Sequence, residues 1–260
     1  MPIYQEWCEL DNTVDGRKRY WKLTEREGGR AAIADRLAGI IRTHYDTQER
    51  IADDIEHLGY ERAAEMLRAL MPHTPRARAG DLGEILAVEL TEEHLEFRVP
   101  VRRLRYKDGR EVPMRGDDFI GVNFAEEDGG LWLLKGEAKS RRRLGRQTIE
   151  EAREALARDG GRCTPHALLF IANRLLESEN DNECALGRLM RNEVAERALP
   201  RRRIDHALFT MSGNGVPGSL DEYFEAADGR RGHEVVNLHI PDYDEFLVDT
   251  YEAAGALGDG

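Results

Sequence analysis

Asp118, Glu137 and Lys139 are the residues of this sequence whose types and spacing best suit chemistry. They bracket the stretch 116–139, GDDFIGVNFAEEDGGLWLLKGEAK. Residues 118–124 and 131–139 read as strands, and Ala125 to Gly130 as the turn-rich loop between them. Pairing symmetric about that loop sets Asp118 directly across from Glu137, with Cβ atoms roughly 4.5–5.5 Å apart. Two carboxylates so placed repel each other, and a hard divalent cation between them turns the repulsion into a binding site. Strand alternation puts Lys139 on the same face as Glu137, and gives Asp117 the wrong parity. Gly136 and Ala138 face the other way and are small enough for a helix to pack close behind the sheet. The chemistry this predicts is metal-assisted phosphodiester hydrolysis.

Composition strengthens the choice of Lys139. Only five of the 38 basic residues are Lys, in a chain that otherwise uses Arg. A Lys against that background points to a compact ammonium, able to hold a water or a phosphate oxygen.

The arrangement resembles the PD-(D/E)xK nuclease superfamily, with Asp118 at the Asp position and Glu137-Ala138-Lys139 as the (D/E)xK element. That resemblance implies an α/β fold with a restriction-endonuclease-like mixed sheet flanked by helices. It also implies Mg²⁺, or Mn²⁺, held by Asp118, Glu137 and the Ala138 carbonyl, with Lys139 steadying the attacking oxygen. The superfamily places a further acid on the helix before the hairpin, and Glu84 matches by order and spacing. Asp81 and Glu84 also read as a D-x-x-E capping pair. Gln147 resembles a glutamine seen in some branches, and reads equally as a residue preceding a helix cap.

More narrowly, RAGDLGEIL, VPMRGDDFIGVNF and WLLKGEAKSR resemble the HamA family, nuclease subunits of the two-component Hachiman anti-phage system. The resemblance covers residues 76–260. It implies action on DNA together with a helicase partner, or, as the alternative, a catalytically silent nuclease fold that binds and regulates that helicase. RNA as the substrate is a third and weaker possibility.

The elements that must position these residues follow from periodicity. Ile33, Leu37, Ile40 and Ile41 predict a helix over 30–44, and Ile51, Ile55 and Leu58 a shorter one ended by Gly59. A third runs from Tyr60 to Met71, and the unpatterned PHTPRARAG reads as a linker. Residues 1–75 are thus expected to be a small helical region, open to a partner, and 76–260 the nuclease-like domain. Within the latter, 81–90 reads as a helix and 95–106 with 110–114 as strands about a Lys-Asp-Gly turn. Thr148 with Glu151 has capping-box spacing for a helix to Arg158. Residues 166–172 read as a strand and 183–198 as a helix. Two strands, 205–211 and 233–240, and a helix from Tyr243 complete an α/β domain.

The bulk properties set limits. At 260 residues the chain can bury a sizeable core without disulfides. No apolar run reaches the roughly 18–20 residues a membrane helix needs. Cys8, Cys163 and Cys184 are odd in number and far apart, so the expected compartment is a reducing cytoplasm. The net charge of −12 opposes free-standing DNA binding, which draws on phosphate contacts. Basic residues cluster at Arg102, Arg103, Arg105 and Lys107, at Arg141, Arg142, Arg143 and Arg146, and at Arg201 to Arg203. Each cluster is a solvated face or part of one basic strip. No P-loop, dinucleotide-binding, zincin or serine-elbow motif is present, and the histidines lack ligand spacing, His166 and His206 each reading as structural.

Overall fold

The structure is a computed structural model and describes residues 2–126 and 128–257. A short helix α1 (Tyr4–Trp7) leads into an antiparallel hairpin of β1 (Cys8–Asp15) and β2 (Lys18–Glu25), turned at Gly16 with φ +59. Helices α2 (Gly29–Tyr45), α3 (Gln48–Leu58), α4 (Tyr60–Leu70) and α5 (Pro75–His94) follow. The second hairpin is β3 (Phe119–Phe124) and β4 (Leu131–Arg141). Then come α6 (Arg146–Gly161), α7 (Pro165–Leu176), α8 (Asp181–Glu196), β5 (Ile204–Ser212), α9 (Gly218–Ala226), β6 (His233–His239) and α10 (Tyr243–Gly255).

Six strands form one sheet in the order β1-β2-β6-β5-β4-β3. The outer pairs β1–β2 and β3–β4 are antiparallel, and the three pairs between them are parallel. Helices cover both faces, as the crossovers between parallel strands require. On one face Leu23, Leu134, Phe209 and Val236 join Ile33 of α2, Leu67 of α4, Ile85 of α5 and Phe246 of α10 in one apolar cluster. On the other, Ile120 and Leu133 pack on Leu168 and Ile171 of α7, while Leu208 and Val235 pack on Ile149 of α6 and Leu220 of α9. The mixed, helix-flanked sheet is the α/β class predicted.

Several local expectations need correction. The predicted helical region of residues 1–75 also contains a β-hairpin. With Tyr20 buried on one face and Trp21 and Leu23 on the other, β2 pairs in parallel with β6, which carries β1 onto the sheet edge. The linker read in PHTPRARAG is instead the start of α5. Thr74 caps it by accepting from the Ala77 amide at 3.3 Å, and Pro75 sits at the first helical position, where its missing N–H costs nothing. The same Thr-Pro device opens α7 at Thr164 and Pro165, so 166–172 is helical, with Leu168, Ile171, Ala172 and Leu175 buried. A short apolar run does not by itself tell a buried strand from a buried helix.

Residues 95–106 and 110–114 do not form the expected strand pair. Among the described residues their one backbone bridge to the sheet is Arg98 with Val122, and a 3₁₀ turn follows at Arg103–Tyr106. Helix α6 begins at Arg146 after Gly145, so Thr148 lies within its first turn and is not the cap.

The β3–β4 register is the one expected. Phe119 faces Gly136 and Phe124 faces Leu131, and the ladder ends there, with Asp118 just outside it and its amide turned to the Gly136 carbonyl. Gly136 is required here because the Phe119 ring lies where a Cβ would project. Gly136→Ala is expected to displace that ring and cost about 1–3 kcal/mol. The melting temperature should fall by roughly 2–4 °C per kcal/mol. An unchanged thermal melt would show that the ring moves aside freely.

Candidate active site

Asp118 stands just before β3. Its amide donates to the Gly136 carbonyl at 3.1 Å, one residue out of step with the ladder, and its Oδ2 accepts from the Ala138 amide at 2.8 Å. Glu137 is 7% exposed on β4. Lys139, two residues on and on the same face, donates from Nζ to Glu137 Oε1 at 2.5 Å. The hairpin therefore brings together the aspartate, the glutamate and the lysine singled out in the sequence.

Glu84 reaches this region from α5. The helix approaches β4 closely at Gly83, where a Cβ would sit 2.9 Å from that of Ser140. Thus the smallness that lets the helix in is on α5 itself, beside Ser140, while Gly136 accommodates a ring of the sheet. Glu84, Asp118, Ala138 and Lys139 line a common cavity of about 400 Å³. Glu137 does not line it and is paired with Lys139.

The electrostatics of the three acids are linked. Burial raises the Glu137 carboxyl to about 7, and the Asp118 charge pushes the same way against the pull of Lys139. Asp118 is raised by burial, opposed by the Ala138 amide and by Lys139 and Arg103. Glu84 is held well above the ordinary range by burial, and the Asp118 and Asp81 charges add to this against Arg103 and Lys107. Among the described residues no three His, Cys, Asp or Glu side chains gather into a ready-made metal cage. The donors on offer are the carboxylates of Asp118 and Glu137 and the backbone carbonyl of Ala138, with Glu84 lining the same cavity as Asp118.

Asp117 is committed elsewhere. Its carboxylate lies 3.5 Å from buried Lys135 Nζ and accepts from the Thr164 amide at 2.7 Å, tying the start of β3 to the cap of α7. Lys135 also donates to the carbonyls of Arg158 and Arg162. Gln147 is on α6, where it donates to Glu151, and it is not drawn into the site. His166 is exposed on α7. His206 faces the Gly161 carbonyl and the Arg231 guanidinium at the far end of the strands, and burial lowers it to about 3.

The sequence missed Arg103. It is 4% exposed, and its guanidinium donates to the carbonyls of Arg115, Asp117 and Asp118. One buried fork thereby holds the chain that delivers Asp118. Its neighbours are turned inward too: Arg102 to Glu89 and Glu92, Arg105 to the Thr43 carbonyl, and Lys107 to both Asp81 oxygens at 2.9 Å. That first basic cluster is neither a solvated face nor part of a basic strip. Nothing in its sequence separates Arg103 from the adjacent arginines.

A mixed sheet flanked by helices, with an acid entering an edge hairpin and an acid-x-lysine element on its second strand, is the α/β layout of the restriction-endonuclease-like proteins. Within that class the chain belongs to the HamA family, whose profile matches residues 1–254. The match begins at the first residue, so the family likeness extends over the N-terminal 75 residues as well as over 76–254. A protein described as Hachiman protein HamA, from Bacillus cereus, is 28% identical over 185 residues. The alignment covers 68% of this chain and 65% of that protein, so the chain spans just under two thirds of the relative's length.

Proposed function

We propose that this protein is a metal-dependent phosphodiesterase acting on DNA, the effector of a Hachiman anti-phage system that works with a helicase partner. The observation that carries the proposal is the β3–β4 hairpin, where Asp118 accepts from the Ala138 amide beside the Glu137–Lys139 pair. The donor set suits Mg²⁺ or Mn²⁺, which take hard oxygen ligands and commonly keep waters alongside one or two carboxylates. Asp118, Glu137 and the Ala138 carbonyl would hold the ion, with Glu84 reaching it through a water. When bound, such an ion lowers the pKa of a water and offsets charge on the phosphate.

The chain's own residues do the rest. Lys139 leaves its pairing with Glu137 to hold a non-bridging phosphate oxygen as charge builds on it. Asp118, raised by burial, and Glu137, raised by burial and by the Asp118 charge, would both be favoured as carboxylates by a bound cation. Arg103 keeps Asp118 in place through the backbone of 115–118. Arg103→Met is expected to weaken Mn²⁺ binding about 10–100-fold, the usual cost of losing a residue that orients a ligand. Arg103→Lys, which keeps the charge and loses the fork, should fall between. Calorimetric titration of both against the parent checks this, and equal affinities would remove Arg103 from the site.

The net charge of −12 motivates the partner, because such a body repels a polyanion at long range. A second reading, a silent nuclease fold that regulates the helicase, draws on the closed Lys139–Glu137 pair and on the absence of a three-acid cage among the described residues. One experiment separates them. The purified protein, alone and with the helicase encoded beside it, is incubated with plasmid, linear and single-stranded DNA plus Mg²⁺ or Mn²⁺. Cleavage that Lys139→Ala abolishes supports the enzyme. Full-rate cleavage by that variant, or none by the complex with any substrate, overturns it.

A further inference from the structure

The cavity that holds the candidate acids is small and has a roof. About 400 Å³ lies between the first turns of α5 and the irregular segment 107–114. That volume is near the lower end of the range, roughly 300–1,000 Å³, that takes a small-molecule-sized ligand. The roof is tied to α5 at two points. Lys107 donates to both oxygens of Asp81, and Glu111 accepts from the His73 amide and the Thr74 hydroxyl, each at 2.6 Å. Just past the second tie, Pro113 and Met114 line the cavity with apolar surface, joined by Leu104.

The opposite side is polar, with Glu84, Asp118 and Lys139. Arg76 of α5 and Arg141 at the end of β4 also line it, and both are exposed. Neither makes a salt bridge with a described carboxylate; Arg141 donates to the Ser140 carbonyl. They differ in this from Arg142 and Arg146 beside them, which pair with Asp244 and Glu222.

Building on the phosphodiesterase reading, we propose that the cavity admits one nucleotide of a single-stranded DNA segment and excludes an intact duplex. The base lies on Pro113, Met114 and Leu104, the scissile phosphate at Lys139, and the flanking phosphates on Arg76 and Arg141. A duplex is too wide to bring a phosphate to Lys139 beneath a roof pinned at Asp81 and Thr74. Free arginines flanking a channel are the usual means of following a single strand's backbone.

The test is binding measured apart from cleavage. Labelled oligonucleotides of about 12 nucleotides, within the usual footprint of single-strand channels, are titrated with the whole protein at low ionic strength in Ca²⁺, followed by fluorescence anisotropy. The set is oligo-dT, oligo-rU and a hairpin-closed blunt duplex. Oligo-dT is expected to bind at least tenfold tighter than the hairpin. Arg76→Ser with Arg141→Ser should cost about tenfold and lower the salt slope by about 1.4, the value for two phosphate contacts on a single strand. Equal or tighter binding of the hairpin, no binding of oligo-dT, or an unaffected double variant overturns the proposal. Binding of oligo-rU as tight as oligo-dT supports the single strand and overturns the restriction to DNA. Internal cleavage of the closed duplex in Mn²⁺ as fast as oligo-dT overturns the cavity proposal and leaves the phosphodiesterase reading intact. Preferential oligo-dT binding without cleavage in any metal does the reverse.

Discussion

Glu137→Gln is expected to leave a folded protein that is more stable than the parent without metal and inactive with it. Cleavage should fall at least about 100-fold, the scale on which a single group in contact with developing charge acts. The gain in stability follows from proton linkage. In the folded, metal-free protein the Glu137 carboxyl titrates at about 7, above its ordinary value, because it is buried and faces Asp118. Between about pH 4.5 and 7 the folded state therefore binds a proton that the unfolded state has released. Stability falls as pH rises through that window, and above it the full cost of the ionised, buried group is present. The shift corresponds to at most about 3 kcal/mol, and the tight link with Asp118 makes the realised amount smaller. Glutamine keeps an acceptor for Lys139 and removes the ionisation, so the variant should melt a few degrees higher at pH 8 and show a flatter stability profile from pH 5 to 8. Parent and variant melting curves with equal pH dependence would show that Glu137 does not carry the strain assigned to it.

Asp117 and Asp118 are adjacent, and their asparagine variants should fail in opposite ways. Asp118→Asn is expected to lose divalent-cation binding in calorimetry and to remain as stable as the parent or more so, since its own carboxyl is raised by burial. Asp117→Asn should bind the cation and lose stability. It strands Lys135, 1% exposed, with no carboxylate beside it. Breaking a buried pair from one side costs about 3–5 kcal/mol. The two donations of Lys135 to the carbonyls of Arg158 and Arg162 remain and reduce that cost. The measurement is a thermal melt beside a titration for each variant. If Asp117→Asn loses the cation and Asp118→Asn keeps it, the site lies on the other side of the hairpin.

The lysine argument illustrates how a sequence signal can be sound and broader than its first use. Lys is scarce here, and the structure places most of its few copies in confined ion pairs. Lys18 pairs with Asp15, Lys107 with Asp81, Lys135 with Asp117 and Lys139 with Glu137, with lysine side chains from 1% to 19% exposed. Only Lys22, paired with Asp221, is more open at 39%. A compact ammonium fits where a guanidinium does not. Scarcity therefore marked buried cation sites in general, and only strand parity with Glu137 singled out Lys139.

The sequence by itself determined the hairpin that carries Asp118 and Glu137, because a short loop between two apolar strands leaves one symmetric register, and a slip of one residue would exchange the side chains packed on the two covered faces. It also determined the α/β class and the long helices whose apolar positions recur every three or four residues. What it left open depends on contacts between distant segments. Residues 166–172 are apolar enough for either structure, and the Thr164-Pro165 cap with burial against α8 makes them a helix. The hairpin of residues 8–25 finds its place only through β6, more than 200 residues later in the chain. Arg103 is one arginine of a run until three carbonyls of the 115–118 segment converge on it. Glu84 comes to the site because Gly83 lets a helix touch Ser140. In each case the deciding energy lies in burial and pairing across the tertiary structure, which no local pattern records.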